Sequence, residues 1–395
     1  MSVHPMVTTL LAALSCIALV YYLLSVYAAW RLFRQVPVRP AACPAVSILK
    51  PLKGVTPDLY QHLASFCRIE YPVFQLLFGV RDPHDPAIAI VRRLQRDFPE
   101  RDIGLVVNPE VIGSNYKVST LHALSQRATY DIFVISDSDV RVAPDYLHRI
   151  IPPLGGPQVG VVTCPYRSAT RQPLPALLES VLINTAFMPS VVLASQVEKT
   201  AYAFGATMAV TRSCVEAIGG FVALADYLAD DYYLGNFAAR AGYQVRILPY
   251  VVETYPDVDS LRGLFHHQLR WARTQRLCRP VGYAGMAVTY GTVWAGLGLV
   301  SGWATPLAVL AILTLAVRCV SATLLGRYFL GVKLTLATFG FVLLTDLLSF
   351  GIWVWSLGGN TVRWGEHTFR VRRDGTMVLL DAQDVVPDVS HGETL

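Results

Sequence analysis

Two carboxylates, Asp137 and Asp139, follow directly on the apolar run Ile132-Phe-Val-Ile135. The run is rich in β-branched and aromatic residues. It predicts a short strand buried on both faces, of the kind parallel sheets contain. Ligands of open α/β sheets bind outside the carboxyl ends of such strands. Paired carboxylates at that position offer hard oxygens to a divalent cation. Mg²⁺ or Mn²⁺ held by one or two of them usually completes its shell with water and substrate phosphates. The pair therefore points to a metal-assisted reaction on a phosphorylated substrate. On its own an Asp-x-Asp is more often a solvated acidic turn, so its weight depends on its company.

Company is present. Asp82 follows another apolar run, and Asn115 and Lys117 stand where a helix is expected to begin, a place that favours a nearby phosphate. Gly205, in Phe204-Gly-Ala-Thr-Met-Ala-Val210, marks backbone that must approach something closely. Asp230 and Asp231 open a further expected helix, either as acidic residues suited to its N-terminus or with one of them acting as a general base. Finally, His266-His-Gln-Leu-Arg-Trp-Ala-Arg-Thr-Gln-Arg276 is a basic and aromatic helical stretch beside an apolar block. Its plainest reading is a flank facing lipid headgroups.

Alternating elements are expected to position these groups. Strands are predicted at Val46–Leu49 (ending in Lys50-Pro-Leu-Lys-Gly54), Phe74–Val80, Ile103–Val107 and Ile132–Ile135. Helical spacing lies between them at Pro57–Cys67, Ala87–Phe98 and Val118–Arg127. This βαβαβαβ order argues for an α/β domain over about residues 45–282, a parallel sheet with helices on both faces.

The rest of the 395 residues is strongly apolar: 53% hydrophobic and 15% charged overall, with mean hydropathy +0.42. Met6 to Trp30 carries no charge and is followed by Arg31, Arg34 and Arg39. It predicts a transmembrane anchor (residues 1–32) with the following domain in the cytosol. A second apolar block, 284–357, offers segments at about 284–302, 305–325 and 334–357, with Arg318 and Asp346 at membrane depth. Three full spans would carry the tail, 358–395, across the membrane. Its Arg363, Arg370, Arg372 and Arg373 favour the cytosolic side, so one segment is expected to be re-entrant or interfacial. The net charge of +5 (33 minus 28), with basic residues interleaved among acidic ones, gives no nucleic-acid patch. Seven scattered cysteines without CxxC spacing read as reduced packing residues.

Five motifs, in order, resemble the ceramide glucosyltransferase family: Lys50-Pro-Leu-Lys-Gly54, Val80-Arg-Asp-Pro-His-Asp-Pro86, Ser136-Asp-Ser-Asp139, Ala229-Asp-Asp231 and His267-Gln-Leu-Arg-Trp271. Phe78-Gly-Val-Arg-Asp-Pro83, Leu228-Ala-Asp-Asp-Tyr232 and Leu269-Arg-Trp-Ala-Arg-Thr274 bring the chain nearest to the bacterial glycosyltransferases associated with hopanoid biosynthesis. The resemblance implies a GT-A fold, Rossmann-like with a mostly parallel sheet, flanked by transmembrane helices in a bacterial inner membrane. It implies transfer from a UDP-sugar, UDP-N-acetylglucosamine or UDP-glucose, to a membrane lipid, a hopanoid polyol or ceramide. By the same resemblance Asp82 contacts uracil, Asp137 sits near the ribose or metal, and Asp139 binds Mg²⁺ or Mn²⁺. Lys50 and Lys117 join the donor side. Asp231 is the catalytic base, Arg270 and Trp271 serve the diphosphate and acceptor, and Asp230, His267 and Gly205 line the acceptor side. His267 departs from the Gln or Arg that usually heads the last motif. Two other readings share some of these residues. A haloacid-dehalogenase-like phosphatase would use Asp137 as nucleophile, but its motif normally follows the first strand. A processive polysaccharide synthase usually carries more spans.

Overall fold

The computed structural model describes residues 5–36, 43–170, 173–301, 305–332 and 336–380. β1 (Val46–Pro51), β2 (Phe74–Val80), β3 (Asp102–Val107) and β4 (Ile132–Ile135) alternate with α2 (Leu59–Cys67), α3 (Ala87–Asp97) and α4 (Tyr116–Arg127), after the N-terminal helix α1 (Pro5–Phe33). β1 pairs in parallel with β2 and β4, and β2 pairs in parallel with β3. Successive residues of one strand enter opposite cores. Ile48, Leu76 and Val134 pack with Leu63, Phe66 and Leu94 of α2 and α3, whereas Leu49, Leu77 and Phe133 pack with Leu121 and Leu124 of α4. That two-residue alternation between two covered faces is why these strands read as unbroken apolar runs.

The second half adds β5 (Val140–Arg141), α5 (Tyr146–Ile150), β6 (Val159–Thr163), β7 (Tyr166–Ser168), α6 (Leu174–Leu182), α7 (Met188–Val197), β8 (Met208–Thr211), α8 (Arg212–Ala217), α9 (Asp230–Arg240), β9 (Gln244–Ile247) and β10 (Val252–Thr254). The main sheet has the order β3-β2-β1-β4-β8-β6-β9, with β8 antiparallel to both neighbours and β9 parallel to β6. β8 begins only at Met208, because Thr207 N donates to Phe204 O at 3.1 Å and closes a tight turn with Gly205 inside it.

Among the described residues four stretches are long and apolar enough to cross a membrane: Met6–Phe33, Leu174–Val197, Pro306–Leu330 and Thr338–Ser356. The second, which joins α6 to α7 through a π turn at Ile183–Phe187, lies inside the middle domain and was not expected. The segment expected at 284–302 is broken instead. After α10 (Leu261–Cys278) come α11 (Pro280–Gly285), a 3₁₀ turn and α12 (Gly291–Ser301). α12 has 11 residues, about 16 Å of rise, against a ~30 Å hydrocarbon core. α13 (Thr305–Leu324) and α14 (Leu336–Ser356) follow. Arg39, the break at Trp303, Lys333 and residues 381–395 lie outside the described residues.

Arg318 and Asp346 face each other. Arg318 Nη2 and Nε donate to the two Asp346 oxygens at 2.7 and 2.8 Å, and Arg318 Nη1 donates to Thr185 O at 3.0 Å. With Thr292 Oγ1 donating to Asp346 at 2.6 Å, the pair joins α12, α13, α14 and the π turn. Both charges are thereby hydrogen-bonded, as burial requires.

The polar tail expected after residue 357 is in part a folded sheet: β11 (Thr361–Trp364), β12 (His367–Val371) and β13 (Met377–Leu379), all antiparallel. Val362, Phe369, Val371 and Met377 are buried against Leu228, while Arg363 and Arg370 between them face out. A strand period of two thus lay under a high arginine content. Met377 N donates to Asp226 O at 2.7 Å, and Tyr233 Oη donates to Asp374 O at 2.8 Å.

The loop that receives this sheet is held from the other side by Asn115, which is fully buried. Its Oδ1 accepts from Val118 N at 3.1 Å and so caps α4, while its Nδ2 donates to Tyr227 O at 2.8 Å. Replacement by Ala removes a cap worth about 1 kcal/mol and a buried hydrogen bond worth about 1 kcal/mol, with a stranded carbonyl in addition. Asn115→Ala is expected to destabilise the protein by roughly 2–3 kcal/mol in denaturant unfolding of the detergent-solubilised chain, and Asn115→Asp, which keeps the cap, by about half that.

Candidate active site

Four carboxylates converge at the carboxyl edge of the sheet. Asp137 and Asp139 leave β4, and Asp230 and Asp231 open α9. Lys117, in the first turn of α4, reaches across with its Nζ 2.7 Å from Asp137 Oδ1 and 3.1 Å from Asp230 Oδ2. A helix N-terminus repels a cation, so these carboxylates are what hold the ammonium there. Gly205 N donates to Asp231 Oδ2 at 2.8 Å. A Cβ on Gly205 would lie 2.9 Å from Asp137 Oδ2 and 3.4 Å from both Asp231 Oδ2 and Lys117 Nζ. No larger residue fits without displacing a charge.

The charges answer to that crowding. Removal from water raises the Asp231 pKa to about 6, and Asp230 adds to the shift against the pull of Lys117. Lost hydration, then the Asp137 carboxylate, push Asp139 up to about 7. For Lys117 burial works the other way, yet Asp137, Asp230 and Asp231 outweigh it and its pKa is raised. Among the described residues no ion pair reaches Asp139. Lys50 and Lys117 temper the charge on Asp139 from a distance without pairing with it. A half-buried carboxylate outside any ion pair, beside a second one, fits a divalent cation.

α10 forms the opposite wall. Arg270 projects toward the cluster, where Glu179, Asp231, Asp137 and Asp230 support its charge against a burial that lowers its pKa. No hydrogen bond or ion pair engages its guanidinium among the described residues; its recorded contact is the face of Trp364, 5.8 Å away. Trp271 packs against Phe187 and His267, with ring centroids 5.3 and 5.0 Å apart. Behind it a cavity of about 520 Å³ opens between α1, α6, α10, α13 and α14, lined by Tyr22, Leu182, Phe187, Trp271, Tyr290 and Trp353 among others.

Comparison with known proteins fits this geometry to a family. The model of glycosyl transferase family 21 matches residues 10–377. The chain belongs to that family. Ceramide glucosyltransferase 3 of Caenorhabditis elegans is 25% identical over 280 residues, covering 69% of this chain and 61% of the relative. Ceramide glucosyltransferase 1 of the same organism is 27% identical over 268 residues, covering 67% and 57%. An N-acetylglucosaminyltransferase of Rhizobium meliloti is 26% identical over 257 residues, covering 60% and 57%. The chain thus spans about three fifths of the length of the curated relatives it matches. A mannosyltransferase from Pyrobaculum calidifontis, solved in complex with GDP-Man and Mn²⁺, shares the fold: TM-score 0.55, 22% identity, 89% of this chain and 99% of that one. The fold is GT-A-like, and the family-21 chain carries apolar helices long enough to cross a membrane.

Within this family-21 chain one expected donor residue takes a different place. Lys50 is 0% exposed; its Nζ donates to Asp137 O at 2.8 Å and Ser136 Oγ at 3.3 Å, and sits 3.7 Å above the Phe66 ring. Burial lowers its pKa to about 7. It holds the Asp-x-Asp loop from beneath and cannot touch a donor in the cleft. Asp82 stays at the end of β2 on the same sheet edge, exposed, its Oδ1 accepting from His84 N at 2.8 Å and making no recorded contact with the cluster. His267 places its Nδ1 2.6 Å from Glu179 Oε1.

Glu179 is the residue sequence reasoning missed. It is the lone charge of Leu174–Val197 and is 0% exposed. Its Oε1 also accepts from Gln268 Nε2 at 3.0 Å, which pins α6 to α10 one turn from Arg270, while its Oε2 has no partner among the described residues. A single carboxylate inside an apolar, membrane-length stretch was the available signal. The tight turn gives a test of the whole cluster. Gly205→Ala is expected to lower transfer at least 100-fold while the protein stays folded, read as turnover beside an unchanged melting profile. Near-wild-type turnover would remove the close approach from the site.

Proposed function

We propose that this chain is an inverting glycosyltransferase of a bacterial inner membrane that moves a sugar from a UDP-sugar to a hydroxyl of a membrane lipid, with its catalytic domain in the cytoplasm. The observation that carries the reading is the arrangement of a carboxylate pair and an unengaged arginine across one cleft, with a largely apolar cavity opening behind Trp271 toward the membrane-length helices. Asp82 is assigned to the uracil and Asp137 to the ribose side. Asp139, with Asp137 beside it, would hold Mg²⁺ or Mn²⁺, which when bound neutralises charge on the diphosphate.

The chain's own groups supply the rest. Arg270 can meet the charge that develops on the departing UDP, since no protein anion holds it by hydrogen bond. Asp231, oriented by Gly205 N and by Tyr232 N at 2.7 Å, takes the proton of the acceptor hydroxyl as the new bond forms. Its position relative to the cluster, with one base and no second nucleophile assigned, supports a single displacement with inversion. The cavity beside Trp271 receives the acceptor's apolar body and excludes water from the reacting hydroxyl.

For the sugar and lipid, the sequence motifs nearest the hopanoid-associated enzymes and the N-acetylglucosaminyltransferase relative favour UDP-N-acetylglucosamine and a hopanoid polyol such as bacteriohopanetetrol. The two ceramide glucosyltransferase relatives favour a second reading, UDP-glucose and ceramide. Mass spectrometry of lipids made with each donor separates them. The tail sheet packs beside the catalytic domain, which supports placing its arginines in the cytosol.

Asp139→Ala and Asp231→Asn are each expected to abolish transfer, with Asp231→Asn still binding UDP in calorimetry; turnover in either variant would sink the assignments. Because the base works only when ionised and its pKa is raised to about 6, kcat/KM is expected to fall about tenfold per pH unit below that value and to level off above it. A profile flat down to pH ~5 would remove Asp231 as the base.

A further inference from the structure

The turn between β11 and β12, Trp364-Gly-Glu-His367, lies beside the cleft although it comes from the far end of the chain. It meets three elements directly and a fourth through Tyr116. The Arg270 guanidinium of α10 lies 5.8 Å from the centre of the Trp364 ring. Lys53, just after β1, has its Nζ 3.6 Å from where a side-chain carbon on Gly365 would stand. His367 meets Tyr116, the first residue of α4, edge to face at 5.6 Å. Tyr116 in turn carries the Arg81 guanidinium, at the end of β2, 4.0 Å above its ring.

Three of these four elements also present a donor-side residue assigned above: Arg270 itself, Asp82 beside Arg81, and Lys117 beside Tyr116. The turn therefore spans the mouth of the donor side. It is held there by a separate anchorage, since Phe369, Val371 and Met377 are buried against Leu228 and Asp374 accepts from Tyr233. Gly365, at φ +61°, lets the turn be tight. The family model reaches residue 377, so it takes in this hairpin and not only the catalytic domain.

We propose that this turn forms the outer wall of the pocket for a nucleoside diphosphate sugar and that Trp364 is a positioning residue for Arg270. The inference rests on the donor reading above. Arg270 has no carboxylate or amide holding it, so an aromatic face is what limits where its guanidinium points. A cation over a ring makes no hydrogen bond to it, so its N–H donors stay free for phosphate oxygens. Trp364 thus orients the arginine without consuming its hydrogen bonds, as an acidic partner would.

The test is UDP binding by calorimetry in Mn²⁺, which needs no acceptor, together with donor and acceptor KM of the full-length protein in detergent. Trp364→Ala is expected to weaken UDP binding and raise donor KM by about tenfold, the size of one desolvated cation–π contact, with acceptor KM unchanged. Trp364→Phe keeps a ring and is expected to stay within about threefold of wild type. Arg270→Ala and the double variant Arg270→Ala/Trp364→Ala should bind UDP equally, because the tryptophan acts through the arginine. A folded Trp364→Ala with wild-type UDP affinity and donor KM overturns the proposal, as does a Trp364→Ala effect that persists in the Arg270→Ala background. A wild-type protein that bound no UDP would remove the donor reading, and this inference with it.

Discussion

A single ammonium group lets the site exist. Four carboxylates brought together at a sheet edge repel one another, and a pair of unit charges 4 Å apart is worth about 4 kcal/mol at an effective dielectric of 20. Lys117 lies between two of them and offsets that repulsion, and the arrangement around it follows. α4 must begin where it does, so Asn115 caps it. The loop before α9 must bring Asp230 within reach, so Asn115 also holds Tyr227. The turn at Gly205 must press against all three charges, so it carries no side chain. What Lys117 leaves unbalanced falls on Asp139, where a metal ion is assigned.

α10 links this site to the apolar helices. One turn of it presents Arg270 to the carboxylates and Trp271 to the cavity, while Gln268 and His267 grip the buried Glu179 of α6. Its later arginines do not simply face headgroups. Arg273 Nη2 donates to Gly358 O at 3.0 Å and Arg276 Nη1 to Leu357 O at 3.2 Å, which satisfies carbonyls left open where α14 ends. The basic stretch is thus a joint between the catalytic domain and the end of the apolar block.

The four parallel strands were legible because both faces are covered, which writes burial into sequence as continuous apolar runs, and three of their connecting helices fell within a few residues of expectation. The five motifs carried the family. Several features left weaker marks. Lys50 sits at a strand end like a ligand-binding residue, but only the packing over Phe66 reveals that it points inward. Leu174–Val197 is interrupted by Pro, Asn and Glu179, so its hydropathy alone did not separate it from the surrounding domain. The C-terminal strands are three to five residues long and alternate with arginine, a pattern that resembles a polar tail until the partner Leu228 is known. In each case the missing information was a contact distant in sequence.

The pairing of Tyr227 and Leu228 with Gly375–Met377 also sets an order of manufacture. These residues lie directly before Asp230 and Asp231, yet their partners are about 150 residues downstream, beyond the apolar helices α12 to α14. A ribosome that has finished the sheet has not yet made the strands that brace its catalytic loop. At about 5–20 residues per second, the delay is on the order of ten seconds. The acidic loop can therefore be braced only once residues 375–377 have been made, after the apolar helices α12 to α14.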